Sequence, residues 1–189
     1  MIRIALVGDI GSGKSYLAKL FGYPVFNADL IVAEIYKTNR KCFNKIKRIL
    51  PNFFSSFPLK KKELINCILA NKTNLKKITK IVHPLVKKKM ELFINKNRNK
   101  NYIILDIPLF LENKLNKKND VIIFIQSSQA NIIKKLKKRK NYNKNLHNRF
   151  KQIQLSLKIK KTKSNFIIKN SFNHKKAIRD VNNVIKEII

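Results

Sequence analysis

The chain has few cysteines, few acidic residues and no long apolar run. Its 189 residues include two cysteines, Cys42 and Cys67, which are too few for a disulfide framework and lack the paired spacing of a metal site. Free thiols of this kind predict a reducing compartment. No apolar stretch approaches the ~20 residues that a membrane-spanning helix needs, and no basic, apolar leader precedes Ile2. We therefore expect a cytoplasmic protein without a membrane anchor.

The shortage of acidic residues leaves a large excess of positive charge. Lys and Arg total 43 against 10 Asp and Glu, which gives a formal net charge of +33. Such a charge favours a polyanionic partner, either nucleic acid or a phosphate-rich small substrate. Codon usage in an AT-rich genome is the alternative explanation, because Asn and Ile are also abundant and add nothing to nucleic-acid affinity. We favour the codon explanation, and a nucleic-acid partner is not expected.

One segment carries a specific phosphate-binding pattern. Residues Gly8–Ser15 fit G-x-x-x-x-G-K-[ST] at every fixed position, between an apolar run that predicts a strand and a pattern that predicts a helix. The glycines let backbone N–H groups approach a phosphate at the positive end of the helix dipole. Lys14 can reach the β- and γ-phosphates of a nucleotide, and the Ser15 hydroxyl can ligate Mg²⁺. The ATP-binding residues predicted here are Gly8, Gly11, Ser12, Gly13, Lys14, Ser15 and Tyr16.

Five short apolar runs predict buried parallel strands that are separated by helices. The runs are Ile2–Val7, Pro24–Phe26, Tyr102–Asp106, Val121–Ile125 and Phe166–Ile168. Their alternation with helical patterns predicts an α/β fold with a doubly wound, five-stranded parallel sheet in a single domain over residues 1–189. We assign the nucleotide-binding core of this domain to residues 1–37 and 100–189.

Two segments between strands are longer than a crossover helix requires. Residues 38–99 predict a helical insertion on the substrate side, in which Pro84 should kink or end a helix over Thr73–Asn95. Residues 137–164 are basic and helical in period, and they predict a lid over the phosphates. The last helix, over residues 173–189, is expected to bury Ala177, Ile178, Val181, Val184, Ile185 and Ile188.

Polar residues follow the predicted strands, at the edge of an open parallel sheet where ligands bind. Asp29, after the second strand, is either a base for an attacking hydroxyl or the N-cap of a helix. Asp106 ends the third strand and is either a ligand of Mg²⁺ or a structural carboxylate. Arg139 and Arg149 stand among lysines, so either their planar guanidinium groups are needed or both are ordinary surface residues.

The remaining signals narrow the class of phosphate-loop protein. The Asn-Lys-x-Asp motif with which a GTPase reads guanine is not matched, because Asn116–Asp120 has one residue too many and precedes a strand. A large mechanoenzyme would need far more chain. A small-molecule kinase remains, and the alternative from another class is a basic nucleic-acid-binding protein.

The order of these motifs resembles the dephospho-coenzyme A kinase family along nearly the whole chain. The resemblance lies in the loop Gly8–Ser15, Asn27-Ala28-Asp29, His83-Pro84-Leu85, Asp106–Glu112, Arg139, Arg149–Gln152 and Asn165–Ser171. It implies transfer of the γ-phosphate of ATP to the 3′-hydroxyl of dephospho-CoA, the last step of coenzyme A biosynthesis, with Mg²⁺ as cofactor. An enzyme for a nucleoside monophosphate or another alcohol, built on the same fold, is the alternative.

The same resemblance implies residue roles. Asp29 becomes the general base, Lys14 and Arg139 become its catalytic partners, and Ser15 and Asp106 become ligands of Mg²⁺. The acceptor site is expected at Asp29, His83, Pro108, Leu109 and Glu112. Asn170 is expected near the adenine of ATP, and Arg139 is expected to contact ATP at the transferring phosphate. A monomer is the favoured oligomeric state.

The chain departs from the family pattern at four positions. Asn27 stands where an Asp is usual, Asp9 replaces a glycine, and Asn165 replaces an Asp. Lys163 occupies a position at which the lid commonly offers an arginine. Because lysine lacks the fork of a guanidinium group, this last departure puts one phosphate contact in question.

Overall fold

Five parallel strands form the centre of the molecule. The computed structural model describes residues 1–138 and 142–188. The strands are β1 (Ile2–Gly8), β2 (Val25–Asn27), β3 (Tyr102–Asp106), β4 (Val121–Gln126) and β5 (Phe166–Lys169). They lie in the order β2-β3-β1-β4-β5, and every pairing is parallel, so β2 and β5 form the two edges. The predicted doubly wound sheet is confirmed, with each strand within one residue of the predicted bounds at either end.

The central strands β1, β3 and β4 are apolar along most of their length because both faces of the sheet are covered there. Successive side chains of a strand point to opposite faces, and Ile4 and Leu6 of β1 belong to one core cluster while Ala5 and Val7 belong to another. Near-continuous apolar character is therefore what a parallel sheet between two helical layers requires.

Nine α-helices in the described part of the chain cover this sheet or pack beside it. They are α1 (Lys14–Leu20), α2 (Ala28–Thr38), α3 (Arg40–Ile49), α4 (Lys61–Ala70), α5 (Lys72–Lys96), α6 (Gln129–Lys137), α7 (Lys144–Lys151), α8 (Leu157–Thr162) and α9 (His174–Ile188). The helices α1 and α9 pack together on one face of the sheet, and α5 contributes Met90 and Phe93 to the core on the other.

A third apolar core lies away from the sheet, within α2, α3, α4 and α5. It includes Phe43, Ile46 and Ile78, and the two buried free thiols Cys42 and Cys67 also belong to it. The long helix α5 runs through Pro84, so of the two outcomes expected at this proline, a kink or a helix end, the structure contradicts the helix end. Proline removes one backbone donor, but α5 packs against α2, α3 and α4, and this packing keeps the helix continuous across the missing bond.

The C-terminal helix is amphipathic, with one correction to its predicted core face. Ala177, Val181 and Val184 are buried, and Ile185 and Ile188 pack against the same core. Ile178 is exposed, contrary to the prediction, because it lies on the flank of the apolar stripe. Within the described residues, no helix is long and apolar enough to cross a membrane.

Candidate active site

The loop between β1 and α1 has the backbone that its glycines predict. Gly8 has a φ of 149°, and a Cβ there would lie 2.6 Å from the carbonyl oxygen of Ile125 in β4. Gly13, the N-cap of α1, has a φ of 94°, and a Cβ there would lie 2.3 Å from Nδ2 of Asn170. Gly11 lies between them against Ile132 and Leu136 of α6. Atoms of β4, of α6 and of Asn170 therefore lie so close to the loop that a Cβ has no room at these three glycines.

Residues from three elements hold the loop in this shape. The Asn170 amide donates to the Ser12 carbonyl oxygen at 2.9 Å and accepts from the backbone N–H of Phe172. The hydroxyl of Ser127, after β4, lies 3.0 Å from the carbonyl oxygens of both Ser12 and Asn170. Asp9, where the family usually has glycine, accepts from the Ile10 backbone and from the Gln129 amide. The loop is therefore bound to β4, α6 and the end of β5.

Lys14 is buried, and its ammonium group lies at the start of the loop. Its Nζ donates to the carbonyl oxygen of Asp9 at 2.8 Å and lies 3.4 Å from that of Gly8. Burial, with a smaller contribution from the positive charge of Lys160, lowers the pKa of Lys14 to about 8. Asp106, Asp9 and Asp29 oppose this shift. Three carboxylates and a second lysine thus act on Lys14.

The carboxyl ends of β2 and β3 place Asp29 and Asp106 at the same edge of the sheet as Lys14. Asn27 and Asp106 are register partners, and the Asn27 amide donates to the buried Asp106 carboxylate. The Asn27 side-chain oxygen also accepts from the backbone N–H of Leu30, so Asn27 is the N-cap of α2. Asp29 is exposed in the first turn of that helix. The capping role considered for Asp29 is therefore filled by Asn27.

Two of the predicted site residues carry oxygen atoms that could hold a magnesium ion. The Ser15 hydroxyl lies in the first turn of α1, and the Asp106 carboxylate ends β3. Mg²⁺ is typically held by one or two carboxylates and by substrate phosphates. The described residues hold no cluster of three or more His, Cys, Asp or Glu that could bind a metal. This donor set therefore suits a metal that arrives with a nucleotide, and it does not form a preassembled protein cage.

Two residues predicted to bind ligands have other partners in the protein. The Tyr16 hydroxyl, on α1, is hydrogen-bonded to Nδ1 of His174 at the start of α9. Glu112, in the turn after β3, pairs with Nζ of Lys160 at 2.8 Å and accepts from the backbone N–H of Leu155. Glu112 thus ties the chain after β3 to helix α8.

The other predicted acceptor residues lie on two elements. His83 is exposed on α5, which packs against α2, and partial burial of its ring lowers its pKa. Pro108 and Leu109 are half-buried in the turn that follows β3. Arg139, predicted to contact ATP, lies outside the described residues.

Lys160 is the buried residue that sequence reasoning missed. Its side chain is 1% exposed and its Nζ lies 3.5 Å from the Gly8 carbonyl oxygen. In the sequence it stands within a run of lysines and nothing distinguishes it from them. Lys163, which the family pattern singled out, is exposed at the end of α8. The tertiary fold alone separates the two.

These features define a class of protein. A glycine loop that joins a strand to a helix at the carboxyl edge of a parallel sheet, with a buried lysine and neighbouring carboxylates, is the nucleotide site of a phosphate-loop kinase. Two solved structures support the same fold. A protein from Thermus thermophilus superposes with a TM-score of 0.79 at 20% identity, covering 100% of this chain and 97% of that chain. A dephospho-CoA kinase from Campylobacter jejuni gives 0.64 at 22%, covering 98% and 96%.

Sequence comparison identifies the family within this class. The profile described as dephospho-CoA kinase matches residues 2–176. A protein from Wolbachia sp. subsp. Brugia malayi, named dephospho-CoA kinase, is 31% identical over 190 residues, covering 98% of this chain and 97% of that protein. The chain belongs to the dephospho-CoA kinase family, and the resemblance predicted from its motifs is confirmed.

Proposed function

We propose that the protein transfers the γ-phosphate of ATP to the 3′-hydroxyl of dephospho-CoA, giving CoA and ADP, the final step of coenzyme A biosynthesis. One observation carries the proposal: three neighbouring parallel strands, β2, β3 and β1, lead at the same edge of the sheet to Asp29, to Asp106 and to the phosphate loop with the buried Lys14. A proton acceptor and a candidate metal ligand therefore lie at the same edge as the lysine that binds phosphates. Membership of the family supports the identity of the acceptor.

Each residue has a role in this reaction. Phosphoryl transfer depends mainly on positioning and on stabilisation of charge. Lys14 and the loop N–H groups hold the ATP phosphates. The ribose oxygen attacks the γ-phosphorus, the bond from that phosphorus to the ADP oxygen breaks, and the hydroxyl proton passes to the Asp29 carboxylate. Ser15 and Asp106 would hold Mg²⁺, which neutralises phosphate charge when bound.

The remaining predicted residues take supporting roles in the proposal. His83, Pro108 and Leu109 contact dephospho-CoA on the side of the helical insertion, which we assign to residues 38–99. Residues 137–164 act as the lid, from which Arg139 contacts the transferring phosphate. Asn170 lies near the adenine and also braces the loop. We further propose that the protein is a monomer and that it is located in the cytoplasm. The free thiols of Cys42 and Cys67 support the proposed location.

A substrate panel tests the reaction. The purified protein is incubated with ATP, Mg²⁺ and either dephospho-CoA or one of the common nucleoside monophosphates, and ADP release is followed together with the mass of the acceptor. We expect phosphorylation of dephospho-CoA and no comparable turnover of the monophosphates. Phosphorylation of a monophosphate alone would assign the protein to a different acceptor on the same fold.

A further inference from the structure

Two lysines from distant parts of the chain meet at one carbonyl oxygen of the phosphate loop. The Gly8 oxygen lies 3.4 Å from Nζ of Lys14 and 3.5 Å from Nζ of Lys160. Both side chains are buried, at 8% and 1% exposure. Like charges repel strongly when they are removed from water, so this arrangement requires a compensating charge or a functional reason.

Glu112 supplies the compensating charge for Lys160. Its carboxylate lies 2.8 Å from the Lys160 ammonium, and this ion pair is almost completely buried, with Glu112 at 9% exposure. A buried ion pair is weak support for stability, because desolvation of both charges offsets most of their attraction. Replacement of such a pair by apolar side chains is often neutral or stabilising, so stability alone does not account for its presence beside the phosphate loop.

We propose that Lys160 is a positioning residue of the ATP site, held by Glu112 so that its ammonium and that of Lys14 clamp the first carbonyl of the phosphate loop. This fixes the point at which Lys14 meets the phosphates and adds a second positive charge beside it. Glu112 then acts through Lys160, and its contribution is to ATP binding and not to contact with the acceptor. The inference depends on the proposed function only through ATP as the ligand.

The ion pair also connects helix α8 to the phosphate loop. Lys160 reaches Gly8 from α8, and Glu112 reaches both Lys160 and the backbone N–H of Leu155, just before that helix. The turn after β3, the segment before β5 and the phosphate loop are therefore joined by one pair of charges.

Direct ATP titration of Lys160→Met tests the proposal, with Lys158→Met as the matched control. Lys158 is exposed on the same helix, and its removal lowers the net charge equally. We expect the Kd for ATP to rise about tenfold or more in Lys160→Met, which corresponds to about 1.4 kcal/mol, and to stay near wild type in Lys158→Met. Equal Kd values in the two folded variants would overturn the proposal.

A comparison of the two substrates separates positioning from a purely structural brace. Lys160 lies 3.5 Å from the Gly8 carbonyl oxygen of the phosphate loop, so Lys160→Met should raise the KM for ATP and leave the KM for dephospho-CoA near its wild-type value. A brace that only holds α8 would leave the KM for ATP unchanged or raise both KM values together, and either result would overturn the proposal.

Glu112→Gln keeps the proposal testable if Lys160→Met does not fold. The carboxamide oxygen still accepts from the Leu155 backbone N–H, while the ion pair is lost. We expect a higher Kd for ATP and an unchanged Kd for dephospho-CoA. A rise confined to dephospho-CoA would overturn the proposal and make Glu112 an acceptor contact. Failure of the wild type to bind dephospho-CoA would count against the proposed function, while the ATP measurement would still test Lys160.

Discussion

At the scale of single residues, the structure assigns the helix cap to Asn27 and leaves Asp29 as the candidate base, a division that the sequence did not predict. The motif Asn27-Ala28-Asp29 predicts a polar cluster after the second strand but not which side chain caps the helix. Asn27 accepts the Leu30 N–H and also holds Asp106. Asp29 is then the carboxylate in the first turn of α2, where its charge acts on Lys14.

Replacement of Asp29 by Asn tests its assignment as the base. Asp29→Asn should lower kcat by about 10²–10⁴-fold, the usual contribution of a general base, and leave the Kd for ATP nearly unchanged. The matched control is Glu34→Gln, which makes the same chemical change at an exposed ion pair on the same helix. Steady-state kinetics with direct ATP titration checks both. Wild-type kcat in Asp29→Asn would remove Asp29 from the base role.

The fit of Asn170 against the loop leads to a second prediction. Gly13→Ala places a Cβ 2.3 Å from the Asn170 amide, whereas Gly22→Ala, also at positive φ, meets nothing within 4 Å. Both lose about 1–2 kcal/mol to backbone strain, and Gly13→Ala should lose more free energy of unfolding and bind ATP more weakly. Denaturant unfolding and ATP titration compare them. Equal unfolding free energies of the two variants would contradict this prediction, because the Asn170 side chain would then move aside without cost.

The positions of the glycine loop, Asp29 and Asp106 could be predicted because each ends or follows an apolar run of the sequence, while the roles of the two acids stay predictions. Lys160 could not be predicted, because the run Lys158–Lys163 offers several similar side chains and only the fold buries one of them. The partnership of Glu112 with Lys160 was hidden for the same reason, since the two residues approach each other only when α8 packs beside the loop.

At the scale of elements, strand positions followed from sequence more closely than helix behaviour. Apolar runs in β1, β3 and β4 mark strands of five to seven residues that are covered on both faces. Pro84 is a local signal for a helix end, but α5 continues through it because its packing partners outweigh one lost hydrogen bond. Tertiary packing of this kind leaves no mark in a local pattern.

Helix α7 is held to the insertion by two apolar side chains. Leu146 and Phe150 pack against the core of α2–α5, and α7 contacts α4. Phe150→Ala should therefore release α7, since truncation of a half-buried phenylalanine removes about 1–2 kcal/mol. Hydrogen exchange of the α7 amides should quicken about tenfold while that of the sheet stays constant. Ile153→Ala, at an exposed position, is the control, and equal exchange in the two variants would contradict this docking.

At the scale of the whole molecule, the charge of +33 should act on encounter more than on chemistry. Raising salt from about 0.1 M to about 1 M shortens the screening length from about 10 Å to about 3 Å. The KM values for ATP and dephospho-CoA should rise over this range while kcat changes little. Steady-state kinetics measures this, and nucleic-acid binding that persists at physiological salt without kinase activity would instead favour a nucleic-acid partner.

The position of β5 at the edge of the sheet gives the surplus lysines a further consequence. The outer side of an edge strand carries backbone groups that another strand could pair with. Around Ile167 of β5, a cleft is lined by Lys161, Lys169 and Lys176. A second copy that approached along this edge would bring its own lysines against these, so the repulsion of like charges opposes the joining of two copies into one continuous sheet.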